Sequence, residues 1–333
     1  MATNTTTNID PAVVPFYNGI LQRKLPYLIH DMFADSKPSP TGESDQIKFR
    51  NYAALSKATT PISEARVPTG SLASYSEVTF TLDQYGDYLK YSDKVSLINQ
   101  DPVISVLTEM GGEQAQETID ELRRNAYIAG TSVRRAGGVS ARSGIVTEIT
   151  NNDLAFVERA MLSNRCRYTK KMVNPQNGYA TSPTRASFPV ICHTDCKASV
   201  ENLTGFQSVE KYAGQTAVHP TEIGQVGNFR FYCTSEAKIW ADGGGSAVAA
   251  SLKYTTGTAN CDVYPYLIFS EHAVAKSDLE GHALQSIVKS KDSGGPENPL
   301  NQYGTVGWVA WTTQGILDDT RLYRIEAGVG ILS

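Results

Sequence analysis

Cys192-His193-Thr194-Asp195-Cys196 is the one short stretch of this chain where metal-ligating and nucleophilic residue types crowd together. Zinc takes about four ligands, usually from two spaced pairs. This group is a single compact cluster with no second pair at a workable spacing. It reads as a buried strand end carrying ordinary thiols. A hydrolytic triad needs a Ser or Cys on a strained turn with His and carboxylate in reach, and no G-x-S-x-G occurs. The Gly-rich runs Gly137-Gly138-Val139-Ser140 and Gly243-Gly244-Gly245-Ser246 do not sit between a strand and a helix as a nucleophile elbow must. Neither a Walker A loop nor a G-x-G-x-x-G fingerprint is present. His30, His219, His272 and His282 are scattered and read as core or surface histidines. Tyr85, Tyr88 and Tyr91 recur at a spacing that could stack on bases, but Lys90 is the only basic residue among them, so they read as packing. We assign no catalytic, cofactor-binding or metal residue, and expect neither a cofactor nor an enzyme.

The bulk numbers agree with that. A compact chain of 333 residues buries roughly three quarters of its unfolded surface, enough for one large domain or two modest ones. Its charged fraction, 19%, is low for a soluble domain, as in a chain that hides surface in an assembly or in a neutral monomer. A net charge of -4 and the lack of a polybasic tail argue against a dedicated nucleic-acid binder. Arg134-Arg135 and Lys170-Lys171 are local basic patches, read as solvated loop charges. The N-terminal MATNTTTNID lacks the layout of a secretory signal, and no apolar run approaches the ~20 residues of a membrane span. The expectation is a chain made and kept in the cytosol, away from membranes. Five sparse cysteines do not form a disulfide framework.

The elements that would carry these residues come in a definite order. A Thr- and Asn-rich N-terminus leads into an amphipathic helix near 12–24, ended by Pro26. Gln46 to Tyr52 and Ser76 to Leu82 alternate apolar and polar residues, as half-buried strands do. Between them lies an excursion punctuated by Pro61, Pro68 and Gly70, with too few apolar residues for a core. The pair reads as a long projecting hairpin that needs a partner surface. A strand through Tyr85, Tyr88 and Tyr91 follows.

The strongest helix runs from Asp101 to Ala129, with Asp101 at N-cap and Pro102 at N1. Its apolar stripe is Val103, Leu107, Gly111, Ala115, Ile119, Leu122 and Ala126. Its polar face carries Glu113, Glu117, Asp120, Glu121, Arg123 and Arg124, and Gly130 ends it. Gly111-Gly112 permits a bend or a close neighbour. A helix capped at Asn152 or Asp153 comes next, then short strands at 188–193, 229–234, 264–270, 284–288, 305–313 and 321–326. Ala198 to Thr204 reads as a short helix and Asp242 to Asn260 as a surface insertion. The C-terminal strand is apolar on both faces: Val306, Trp308 and Ala310 on one, Gly307, Val309 and Trp311 on the other. Strands and helices interleave without βαβ regularity, which argues an α+β fold.

Several short motifs resemble one family. Asn298-Pro299-Leu300-Asn301-Gln302, Gly304 and Val306-Gly307-Trp308 resemble the C-terminal signature of tailed-bacteriophage major capsid proteins of the coliphage N-four type. Ile47-Lys48-Phe49-Arg50, Ala58-Thr59-Thr60-Pro61, Thr81-Leu82 and Gln84-Tyr85-Gly86 are similar to its earlier blocks. His193, Tyr212, Glu222-Ile223-Gly224, Gly227 and Arg230-Phe231 are similar to its middle block. The resemblance runs from about Pro15 to Glu326, leaving out 242–260.

It implies the tailed-phage major capsid (Johnson) fold. An N-terminal arm would span 1–40, and an extended loop with flanking strands 41–95. A peripheral domain with a spine helix would span 96–150, an axial domain 151–285, and peripheral C-terminal strands 286–333. The implied function is self-assembly, as homo-hexamers and homo-pentamers, into an icosahedral head enclosing double-stranded DNA. The implied partners are scaffolding, portal and decoration proteins, with weak, non-specific inner-surface contacts to the packaged DNA. The implied location is the virion capsid, assembled in the host cytoplasm. An encapsulin-like compartment shell and a soluble α+β enzyme are the alternatives.

Overall fold

A computed structural model describes residues 25–62, 64, 70–92, 103–169, 186–211, 217, 219–246, 251–255, 260–290 and 299–331. The expected helix near 12–24, Asp101, Pro102, Lys170-Lys171 and Tyr212 lie outside these residues.

The longest strand organises one half of the molecule. β13 (Tyr303–Ile316) is antiparallel to β4 (Asp83–Ser92) along one edge, from Tyr303↔Ser92 to Thr312↔Asp83. Its other edge pairs first with β12 (Gln285–Lys289) and then with β11 (Val274–Asp278), onto which β1 (Asp35–Ser36) adds in parallel. The second half is a seven-stranded sheet in the order β5-β14-β10-β6-β9-β8-β7. These are β5 (Val133–Arg135), β14 (Leu322–Ala327), β10 (Tyr264–Phe269), β6 (Phe188–His193), β9 (Phe229–Thr234), β8 (Glu222–Val226) and β7 (Phe206–Ser208). The mixture of parallel and antiparallel pairs with few helices is an α+β architecture. Three strands cross the expected partition of the chain: β11, within 151–285, joins the β13 sheet, and β5, within 96–150, and β14, within 286–333, join the seven-stranded one.

β6, β9 and β10 are buried at every position because both faces are covered. Val190, Cys192, Phe229, Phe231, Tyr266 and Ile268 point to one core, with Leu154, Val157 and Met161 of α2 (Asn151–Ser163) and Val200 of α3 (Lys197–Glu201). Ile191, Tyr232, Leu267 and Phe269 alternate to the opposite core and meet Ile29, Phe33 and Tyr127. Thr150, two residues ahead of the nearer expected cap Asn152, starts α2. Its hydroxyl accepts from the Asp153 amide (3.3 Å) and donates to the Asp153 carboxylate (2.7 Å).

Helix α1 (Val103–Ile128) joins the two halves and, at 26 residues, is about 39 Å long. Across its middle Ala115 and Ile119 pack on Trp308, Ala310 and Tyr85, and Gly111 lies against Trp308. At its end the Tyr127 ring meets Phe269 edge-on, 5.9 Å between centroids. The buried row is Gly111, Ala115, Arg123 and Tyr127, with Asp120 and Arg124 beside it; Leu122 and Ala126 are only half-buried. The expected polar face is therefore wrong for Asp120, Arg123 and Arg124, which burial against 25–36, β11 and the Glu236 carbonyl makes interior. Gly130 marks the end of the helix without adopting left-handed geometry. Arg324 of β14 instead donates to the Ile128 and Gly130 carbonyls.

β2 (Gln46–Tyr52) and β3 (Tyr75–Thr81) pair from Gln46↔Thr81 to Tyr52↔Tyr75 as a free two-stranded hairpin. β3 does not join the β13 sheet; β4, the strand after it, does. The hairpin touches the sheet at its base, where Phe80 lies over Gly315 so closely that a side-chain carbon there would overlap the ring. The described part of 242–260 is not all surface. Leu252 is buried with Ile145, Cys261 and Val263, and bridges to Gly330.

Candidate functional site: the cysteine–histidine cluster and the assembly surfaces

The cysteine–histidine stretch closes the end of β6 and turns into α3. Cys192 pairs with Cys233 across the parallel β6–β9 ladder, with the two sulfurs 3.3 Å apart. That contact, together with burial, pushes the Cys192 thiol well up, and burial does the same to Cys196. Both stay protonated at neutral pH, which removes their nucleophilicity and their charge for a metal. His193 Nδ1 accepts from the Asp195 amide at 3.1 Å, capping the turn at 194–196. Burial lowers the His193 pKa against the opposing pull of Asp195. Burial raises the Asp195 carboxyl, but bonds from Lys253 and Tyr264 (2.9 Å) more than offset this and leave it below the usual range. Among the described residues no three His, Cys, Asp or Glu side chains are grouped to hold a metal ion. The cluster caps a strand and closes a turn.

The Gly-rich runs are packing devices. Gly137 and Gly138 turn the chain with positive φ, and a side chain at Gly244 would overlap Cys261 Sγ. A spacing of three on a strand sends alternate tyrosines to opposite faces. Tyr85 and Tyr91 accordingly face the covered side of β4, and Tyr88 is exposed. His30 is a core histidine, its Nδ1 2.6 Å from Asp120. His272 is exposed beside Asp35 at 2.6 Å.

Arg134-Arg135 is not a solvated patch. In β5, Arg134 bonds Asp153 (2.9 Å) and Arg135 lies 3.3 Å from Glu326. Glu326 is fully buried and also accepts from Arg142 (2.7 Å) and Arg324 (3.0 Å), with the Arg142 guanidinium 3.6 Å from the Trp240 ring centroid. Burial raises the Glu326 carboxyl, but the Arg142 bond and the three guanidinium charges outweigh it and hold the group low. A second network ties the N-terminal segment down: Asp31 meets Arg123 (2.7 Å) and Lys276 (2.6 Å). Sequence reasoning missed both networks. The one local signal is Arg324 and Glu326 two apart on an apolar strand, hence on one face.

The hairpin and one face of β13 carry exposed or partly covered apolar residues. Tyr52, Leu55, Ile62, Leu72 and Tyr75 are solvent-facing large apolar residues, and Leu72 is 95% exposed. Arg50 holds Glu77 through two nitrogens (2.9 and 2.6 Å) and covers the Tyr75 ring at 4.6 Å. On β13, Val306, Trp308 and Ala310 are buried under α1, whereas Gly307, Val309 and Trp311 are only partly covered. Over that face Tyr88, Ile287 and Lys289 wall a groove of about 440 Å³.

No protein-family description matches the chain, and no curated protein sequence does. Solved structures do match over its full length. It is similar to the capsid chain of Ralstonia phage GP4 (TM-score 0.66, 13% identity, 100% of both chains covered). It is similar also to the head of Helicobacter pylori bacteriophage KHP40 (TM-score 0.63, 10% identity, 99% of this chain and 98% of that one). The capsid of Cyanophage P-SCSP1u aligns with a TM-score of 0.62 at 14% identity, over 98% and 95%. The chain has the tailed-phage major capsid (Johnson) fold, an α+β fold built round a long helix and a projecting loop.

Proposed function

We propose that this chain is a tailed-phage major capsid protein that assembles as hexamers and pentamers into an icosahedral head around double-stranded DNA. The observation that carries this is the end-to-end match to the capsid of Ralstonia phage GP4, which leaves no part of either chain over. The exposed apolar hairpin and the partly covered β13 face support it, because large apolar patches mark interaction surfaces. In this reading β2–β3 and residues 53–74 are the extended loop, lying over an adjacent subunit. The β13 sheet with α1 is the peripheral domain, the seven-stranded sheet is the axial domain, and the segment through Asp35 belongs to the N-terminal arm.

The order of motifs from Ile47 to Trp308 supports membership of the coliphage N-four type. The chain acts structurally and not as an enzyme. Its partners are other copies of itself, then scaffolding, portal and decoration proteins, and it resides in the virion capsid after assembly in the host cytoplasm. Negative-stain microscopy of the expressed protein tests the reading: capsid-sized shells or capsomers are expected. A discrete monomer or dimer by light scattering overturns it, and shells filled with a cargo enzyme instead of DNA would identify an encapsulin-like compartment.

A further inference from the structure

Cys192 and Cys233 lie on adjacent strands in the core of the seven-stranded sheet, 0% and 7% exposed. The parallel β6–β9 register sets them directly opposite each other, within a ladder that runs from Phe188↔Phe229 to His193↔Thr234. Neighbouring strands lie about 4.8 Å apart, inside the roughly 4.4–6.8 Å between Cα atoms that a disulfide spans. The two sulfurs already meet at 3.3 Å. Closing an S–S bond of about 2.05 Å would draw them together by only about 1.2 Å.

The other cysteines are placed differently. Cys166 Sγ donates to the Thr320 carbonyl at 3.5 Å, and Cys261 Sγ to the Ile145 carbonyl at 3.1 Å. Cys196 is fully buried in the turn that follows β6. All five cysteines are free thiols in this structure. The close approach of Cys192 and Cys233 is therefore a property of the ladder itself and not of a bond already made.

We propose that Cys192 and Cys233 are a redox-active dithiol that closes to a disulfide with a small hydroperoxide as oxidant. Cys233, the less buried of the two, loses its proton and attacks a peroxide oxygen. The O–O bond breaks, the departing hydroxide takes up that proton as water, and the sulfur becomes a sulfenic acid. Cys192 then attacks the Cys233 sulfur. The S–O bond breaks, and the leaving hydroxide carries off the Cys192 proton as a second water. Two thiols and one hydrogen peroxide thus give one disulfide and two waters, with no charge left in the core. The bond ties two strands whose cysteines are 41 positions apart, which restricts the unfolded chain. A reducing cell interior keeps the pair open and an oxidising exterior closes it. The inference stands on the sulfur geometry and is independent of the capsid reading.

The test treats the full chain, purified in reductant, with hydrogen peroxide and then blocks free thiols with N-ethylmaleimide in denaturant. Peptide mapping by mass spectrometry should find Cys192 and Cys233 joined, lighter than the dithiol by two hydrogens. Urea unfolding of the oxidised chain should show a raised midpoint that falls back when dithiothreitol is added. A map with both thiols still free, with Cys233 carried on to a sulfinic or sulfonic acid, or with either residue joined to a different cysteine overturns the proposal. In Cys192→Ser, dimedone should trap a sulfenic acid on Cys233 that the wild type does not accumulate; equal trapping in both overturns it. Cys196→Ser should still close the 192–233 bond, and its loss there would make Cys196 the true partner. If either variant fails to fold, the wild-type map decides alone.

Discussion

At the scale of single residues, burial without an escape route decides the outcome. Trp308 is 5% exposed, rests on Ala115 and donates its indole N–H to Gln114 at 3.2 Å. Trp308→Ala should cost about 3–5 kcal/mol, measured by urea unfolding. Glu326 makes a sharper test because its three guanidinium partners lie around a fully buried carboxylate. Removing one side of a buried pair costs about 3–5 kcal/mol, and Glu326→Gln should approach that near neutral pH. The folded pKa is lowered, so the stabilisation is present above the ordinary carboxylate pKa and is lost as pH falls through the folded value. The wild type and the Glu326→Gln variant should converge in stability in acid; a gap independent of pH would rule out the charge as its source. Trp308 was legible because Val306, Trp308 and Ala310 alternate on one face. Glu326 was not, because Arg135 and Arg142 reach it from nearly two hundred positions away in the chain, and no local pattern records a contact of that range.

Elements were legible where period and burial agree. The strands at 188–193, 229–234 and 264–269 are apolar along their length because both faces are covered, and the 46–52/75–81 pair followed from alternation alone. Helix α1 shows the limit. From Gly111 to Ile119 its stripe meets the β13 sheet as read, then burial passes to Arg123 and Tyr127, because the helix leaves that sheet and enters a polar junction with Asp31 and His30. β11 was missed outright: Val274–Asp278 has two apolar positions at one end and is strand because the far end of β13 needs a partner. At this scale, replacing residues 55–72 with a short turn should keep the seven pairs from Gln46 to Tyr52 and leave a folded, soluble chain that forms no shells. Shells formed by that variant would show that the exposed apolar residues of the loop are dispensable for assembly.

For the whole molecule, the covered and uncovered faces of β13 set the expectation. Amides of 306–312 should exchange slowly in assembled shells, since the face carrying Val309 and Trp311 then gains the cover it lacks in one chain. Fast exchange there in intact shells would show that no neighbour reaches this face. The fold class was readable from the order of elements, from hairpin to long helix to mixed sheet to late strands. The division of strands between the two sheets was not, because β5, β11 and β14 take their places through pairings between distant segments.

The seat of Phe80 on Gly315 has a mechanical consequence. The paired part of the hairpin is seven residues long, about 23 Å at ~3.3 Å per residue, and at its base Phe80 rests on the bare backbone of Gly315 beside the buried Leu82 that joins it to β4. That is a lever on a low-friction pivot: tilting it by about 10° at the ring carries the far end of the paired strands through about 4 Å, while no bond within the hairpin changes. A shell that closes needs one chain to meet neighbours at more than one angle. The Phe80–Gly315 contact would be the joint that takes up such an adjustment. Gly315→Ala, which fills the pivot, should leave the chain folded and narrow the range of shell curvatures it can form, visible as fewer closed particles and more open sheets by microscopy.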